Sequence, residues 1–306
     1  MSGSTGDESV FNGSEKKVLE LSQKRLEKFA SLFPRVLISD NPEMIHDVRV
    51  WSRRLQQIIR ILFPKPASKK SRKLVRALRS VRRTLGDCRN LDVIKELIQE
   101  KIAASHNPVV RDAWDQLKVH VQEKHRRELI RARGKLSQYN IVDLVNRAKT
   151  LLGSAEASEH LQVTLTGSVA RALGEWTEAV SATEQSQAPE QIHALRIAGK
   201  RLRYRVEILA ELGDSSAKAR IKTLKALQDQ LGRWHDYHVL MQLTAKFLSR
   251  SDFLVAHPGL SRALLVEMER ERRRNDAAVR DILKSAAKIR DAWVDTESKL
   301  PQETPP

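Results

Sequence analysis

The chain nearly repeats itself about 147 residues on. Residues 42–62 read PEMIHDVRVWSRRLQQIIRIL, and residues 189–209 read PEQIHALRIAGKRLRYRVEIL. His46 thereby pairs with His193, Arg49 with Arg196, Arg53 with Lys200, Arg54 with Arg201 and Leu55 with Leu202. A repeat of this kind ties both halves to one local architecture. Both copies keep a basic stripe as well as an apolar one. A duplicated core needs only the apolar stripe, so the repeated cations need a separate reason.

Periodicity makes that architecture helical, since no alternating β-branched runs bounded by turns occur. A first helix fits residues 14–33, with Val18, Leu21, Leu26 and Phe29 on one side and Pro34 as its stop. Pro42 suits a helix start two residues after Asp40, and Pro64 and Pro66 end that helix near Leu62. Further helices are predicted over about 69–85, 90–104, 108–136 and 140–152. The second half follows the same order, with Leu165, Leu173 and Trp176 standing 147 residues after Val18, Leu26 and Phe29. The offset then becomes 146, which aligns Leu85-Gly86 with Leu231-Gly232. The expectation is an all-α fold of two four-helix bundles from an internal duplication. The repeats are placed at 14–152 and 153–298, with flexible tails at 1–13 and 299–306.

On a helix at 100° per residue, His46, Arg49, Arg53, Gln57 and Arg60 fall within roughly 80° of one another. Ile45, Val48, Trp51, Leu55, Ile58, Ile59 and Leu62 lie opposite. In the second copy His193, Arg196, Lys200 and Tyr204 take the same stripe, opposed by Ile192, Leu195, Leu202, Val206 and Leu209. The next helix repeats the device, with Arg72, Arg76, Arg79 and Arg83 on one face and Leu74, Leu78, Val81 and Leu85 on the other. Its counterpart keeps Lys218, Lys222 and Lys225 and puts Asp229 where Arg83 stood. Like charges at such spacing repel, a cost that bulk water or an anion among them relieves.

The charge balance agrees with the second possibility. The chain has 55 Lys+Arg against 38 Asp+Glu, a net +17. Residues 1–150 hold 32 of those cations against 17 acids, so the first half supplies most of a field that attracts polyanions. The single cysteine, Cys88, excludes an internal disulfide or a thiolate metal cluster. No apolar run approaches the roughly 18–20 residues of a membrane span. The start, MSGSTGDESVFNGSE, lacks a secretory pattern, and a cytoplasmic setting is expected.

Gly86 and Gly232 are expected to end helices in the left-handed conformation, and Asn90 or Asp236 to cap the helices that follow. His46 and His193 sit near helix starts, where the macrodipole depresses an imidazole pKa. His235, Asp236 and His238 have ligand-type side chains, but the first copy has Arg89, Asn90 and Asp92 in that stretch, so no metal site is expected.

These motifs resemble the CHAD domain, the conserved histidine α-helical domain. Its pattern is roughly His-x-x-Arg-x-x-x-Arg/Lys-Arg-Leu, then Leu-Gly-x-x-Arg/Asn-Asp, given twice within one domain. IHDVRVWSRRL and LGDCRNLDVI match the first set, and IHALRIAGKRLRYRVEIL and LQDQLGRWHDYHVL the second, so that the resemblance covers about residues 14–298. Asn90 replaces the usual acid. The resemblance implies pseudo-twofold related bundles and binding of inorganic polyphosphate along a basic surface or pore. Carried over by position, the ligand set is His46, Arg49, Arg53 and Arg54 with His193, Arg196, Lys200 and Arg201. Arg76, Arg79, Arg82, Arg83, Arg89, Arg203, Tyr204, Lys222 and Lys225 complete the expected set. Association with polyphosphate granules is implied by the resemblance alone.

Some members of that family add a CYTH triphosphatase domain, whose Glu-x-Glu-x-Lys strand motif is missing here. Glu267, Glu269 and Glu271 mimic it only within an arginine-rich helical stretch. There is no P-loop, nucleophile elbow or HExxH. The expectation is a non-enzymatic polyphosphate binder without cofactor, its oligomeric state left open. Sequence-independent binding of nucleic-acid backbones is the alternative, weakened by an aromatic content of 5% that offers few stacking platforms.

Overall fold

The computed structural model describes residues 7–64, 68–154 and 161–297. Among them there is no strand, and the fold is all-α. Eleven helices follow in order among the described residues. They are α1 Asp7–Ile38, α2 Pro42–Leu62, α3 Lys69–Thr84, α4 Gly86–Ala104, α5 Pro108–Leu136, α6 Ile141–Gly153, α7 Leu161–Gln185, α8 Pro189–Glu211, α9 Ser216–Leu248, α10 Ser251–Ala256 and α11 Pro258–Glu297. No described helix is long and apolar enough to cross a membrane.

Two compact units divide the chain: residues 1–166 with 244–264, and residues 167–243 with 265–306. The end of α9, all of α10 and the first turns of α11 fall in the first unit.

In the first unit α2 packs on α1 and α3, α4 on α5, and α6 on α1 and α3. The apolar stripe of α2 forms the inner face, with Ile45, Val48, Leu55, Ile58 and Ile59 buried. Leu74, Leu78, Val81 and Leu85 of the α3 segment are buried against it. Trp51 and Leu62, expected on the same side, are half-buried at its margin. Helix starts follow local chemistry. The Asn41 side chain accepts from Glu43 N at 2.9 Å and Ser68 Oγ from Ser71 N at 3.1 Å. Asn107 and Asn140 do the same for α5 and α6.

Several boundaries differ from the sequence expectation. α1 begins at Asp7 and runs through Pro34, because Leu32, Phe33 and Val36 on both sides of the proline are buried and hold the helix across the missing N–H. Residues 7–13, expected as tail, thus belong to α1; residues 1–6 and the expected tail 299–306 lie outside the described residues. Gly86 opens α4 instead of closing α3, and Gly232 lies inside α9. Around Gly232, Leu227, Leu231 and Trp234 are all buried, which outweighs the roughly 1 kcal/mol that glycine costs within a helix. Asn90 and Asp236 consequently sit within helices and cap nothing. The first half breaks α3 from α4 at Leu85, whereas the second half runs α9 unbroken through the aligned positions.

Among the described residues the left-handed glycine is Gly213, at φ 112°. Asp214 N donates to Leu209 O and Gly213 N to Ala210 O, both at 3.1 Å, which closes α8 in a Schellman motif. Asp214 then caps α9 through Ser216 N at 2.8 Å.

The second unit has its own core, in which Leu173, Trp176 and Val180 of α7 meet Leu195 and Leu202 of α8, Leu227 and Trp234 of α9, and Ile282 and Ala286 of α11. Gly199 permits the approach of α8 to α7. A Cβ there would stand 2.8 Å from Cζ3 of the fully buried Trp176 and would also strike the Gln228 amide. Gly199→Ala is therefore expected to lower the unfolding free energy by about 1–3 kcal/mol through overpacking. Urea titration followed by circular dichroism measures it, and an unchanged midpoint would show that the helices are not packed this closely.

Candidate functional site

The cationic stripe of α2 meets the end of α3 and the start of α4. Arg49 donates from Nη1 to Arg82 O at 2.5 Å, satisfying one of the last carbonyls of α3. Arg82 Nη1 in turn donates to Gln56 Oε1 at 2.8 Å, and buried Gln56 reaches Val75 O at 3.4 Å. This chain of contacts knots α2 to α3. It also crowds positive charge: burial first, then Arg53 and Arg89, bring the Arg49 guanidinium down to about 10. The Arg49 guanidinium lies over Gly86, 3.5 Å from where a Cβ would be.

His46 belongs to the same group. Its pKa is lowered, chiefly by burial and next by Arg89, while Glu43 and Asp47 act against them. Arg89 Nη1 is buried without a hydrogen-bond partner beside these groups, a donor held ready for an acceptor. The structure thus gathers His46, Arg49, Arg53, Arg82 and Arg89 in the first unit.

α3 extends this patch outward. Arg72, Arg76, Arg79 and Arg83 are all exposed, and no acid stands anywhere on α3. Spaced over eleven residues, they form a row about 16 Å long. Arg54 is placed differently: its guanidinium carbon lies 5.0 Å from the Trp51 ring centroid, and its carbonyl accepts from buried Arg25 at 3.0 Å. That is helix packing between α1 and α2.

In the second unit the structure gathers His193, Arg196 and Lys200 of α8 with His235 and His238 of α9. The His193 and His235 rings stand 5.4 Å apart, and His238 stacks on Trp234 at 5.3 Å with planes 10° apart. Burial and Arg196 lower both His193 and His235, the latter to about 3. Arg201 is not free in this unit; it pairs with Glu175 of α7 at 2.7 Å. Arg203 pairs with Glu207 and lies 4.7 Å from the ring centroid of buried Tyr204. Lys222 and Lys225 are exposed on α9, near exposed Asp229.

The carboxylates of the arginine-rich stretch do not form an acidic site. On α11, Glu267 pairs with Arg270, Glu269 with Arg272 and Arg273, and Glu271 with Arg274. Asp92 turns inward, with Lys95 Nζ at 3.0 Å and His125 Nε2 at 2.9 Å, and burial lifts the neighbouring Cys88 thiol to about 11. Among the described residues no three His, Cys, Asp or Glu side chains gather as a metal-holding group.

Reasoning from sequence did not see the Gln56 relay or the pairing of His193 with His235. The second left a trace: at an offset of 146, His235 aligns with Arg89, which the first copy places beside His46.

The CHAD domain family model matches residues 20–245. Among solved structures the chain is similar to the CHAD domain from the plant Ricinus communis, with a TM-score of 0.65 and 19% identity. That similarity covers 88% of this chain and 91% of the plant chain. No curated protein matches the sequence. With nearly three quarters of its length, residues 20–245, under the family model, the protein belongs to the CHAD domain family.

Proposed function

We propose that this protein binds linear inorganic polyphosphate without acting on it chemically. The observation that carries the reading is the α3 row: four exposed arginines on one face of a helix that has no acid, beside a cluster of half-buried cations. Surface arginines elsewhere, such as Arg126, Arg131, Arg147 and Arg272, lie against carboxylates. The α3 row has none on its own helix, and a polyanion would relieve its repulsion. Guanidinium forks suit phosphate oxygens, and Arg89 Nη1 supplies a desolvated donor that gains most from an anionic acceptor. Membership of the CHAD family supports polyphosphate as that polyanion.

A flexible polymer held by many modest contacts releases counterions as it binds. By analogy with single-stranded nucleic acids, affinity falls with salt at a log–log slope of about −0.7 for each phosphate neutralised. The reading carries with it a place in the cytoplasm at polyphosphate stores. Competition tests the ligand class. Polyphosphate of defined length is expected to displace labelled single-stranded RNA or DNA at far lower total phosphate concentration than the reverse exchange requires. Displacement at equal phosphate concentration would reduce the site to a general polyanion field. The opposite order would make nucleic-acid backbones the ligand.

A further inference from the structure

We propose that polyphosphate binding in the second unit is proton-linked, with His193 and His235, set in one imidazole face with His238 beside Arg196 and Lys200, taking up protons as the polymer arrives. This rests on the polyphosphate reading and adds a mode of regulation to it.

The two units carry different kinds of base. In the first, the segment after Gly86 contributes the guanidinium of Arg89, while Asp92 is turned inward to Lys95 and His125. In the second, the aligned positions are His235 and His238, and both lie against the α8 stripe. His193 is exposed and His235 and His238 are half-buried, so a polymer lying along α8 meets imidazoles where the first unit presents guanidinium.

The charges bearing on these rings have one sign. Arg196, Lys200 and His238 bear on His193; Arg196, His193, Lys200 and His238 bear on His235. His238 lies between neutral groups, stacked on Trp234 and 3.0 Å from Gln242 Nε2. Among the acids of the neighbouring elements, Asp236 follows His235 directly on α9. On α7, Glu175 is engaged by Arg201; from α11, neutral Asn275 donates to Trp234 O at 3.2 Å, and Glu271 is engaged by Arg274.

Without the polymer, burial and neighbouring cations keep His193 and His235 uncharged in the neutral pH range. A bound polyanion reverses the local field and raises their pKa values. The bound state then holds more protons than the free state, so affinity rises as pH falls from the bound-state pKa toward the free-state one. Each proton taken up steepens the dependence by up to about tenfold per pH unit.

The test measures polyphosphate affinity between about pH 8 and about pH 5.5, the range of histidine titration. It compares the wild type with the His193→Gln/His235→Gln/His238→Gln variant. Protons titrating on the polymer ends are common to both proteins, so their difference isolates the imidazoles. The wild type is expected to gain affinity on acidification by at least about tenfold more than the variant, as one proton over one pH unit requires. In parallel, imidazole resonances of the wild type are titrated with and without polyphosphate, which does not depend on the variant folding. The midpoints of His193 and His235 are expected to move up on binding. Tight binding with no excess pH slope and unmoved midpoints overturns the proton linkage and leaves the polyphosphate reading standing. Absence of binding at every pH overturns both.

Discussion

Exchanging Arg72, Arg76, Arg79 and Arg83 together for glutamine is expected to lower polyphosphate affinity roughly 30- to 1,000-fold at about 0.15 M salt. The figure follows from the modest strength of each exposed charged contact, about 0.5–1 kcal/mol or roughly 2- to 5-fold apiece when four act on one polymer. The salt slope is expected to flatten by about 3, four contacts at about 0.7 each. None of the four side chains is buried, so the helix should keep its packing through Leu74, Leu78 and Val81. The control is a second quadruple variant, Arg126, Arg131, Arg147 and Arg272 each to glutamine. It removes the same formal charge from arginines that already lie against acids. An equal loss in both variants would show that net charge alone attracts the polymer and that α3 has no special place. A loss confined to the α3 variant locates the polymer on that helix.

The second large effect concerns stability. Asp92→Ala is expected to cost about 3–5 kcal/mol, because it strips the carboxylate from a buried group of charges. Asp92 is only 2% exposed; it holds Lys95 within α4 and His125 across the α4–α5 interface. Burial alone would raise the Asp92 pKa; hydrogen bonds from His125 and Lys95 outweigh it, and the folded value ends below the ordinary one. A carboxyl with a depressed folded pKa stabilises fully above its unfolded pKa of about 4 and loses that contribution as pH falls through the lower folded value. Wild-type stability should therefore drop on acidification below about pH 4 more steeply than that of the variant. Urea titrations at neutral and acid pH measure both effects. A loss below about 1 kcal/mol in the variant at neutral pH would mean that the Asp92 group is solvated and holds nothing together.

Much of this was readable wherever local sequence and burial agree. The stripes of α2 and α3 follow from helical spacing alone, since an apolar face must be buried and a charged one must reach water or an anion. Asn41, Asn107 and Asn140 each lie next to a periodic run, and all three cap helices. The failures fall where distant packing overrides a local rule. Pro34 reads as a stop, but Phe33 and Val36 are buried and carry α1 through it. Gly232 reads as an end, but Leu231 and Trp234 hold α9 together across it. Gly213 passed unremarked because nothing around it repeats. At the site, spacing showed which face a side chain leaves from but not what receives it. Arg54 and Arg201 leave their helices like ligands, yet one lies over Trp51 and the other meets Glu175. His125 stands alone in sequence, and only the packing of α5 on α4 brings it to Asp92.

Cys88 has a practical consequence of its own. It is the chain's one sulfhydryl, fully buried, with its thiol pushed up to about 11. Only the thiolate reacts readily, so this sulfur is silent toward maleimides and similar reagents at neutral pH. The natural protein therefore serves, without prior removal of any residue, as a background-free host for a single introduced label. A dye attached at exposed Lys73, beside the arginine row, would register a polymer settling on α3 as it happens.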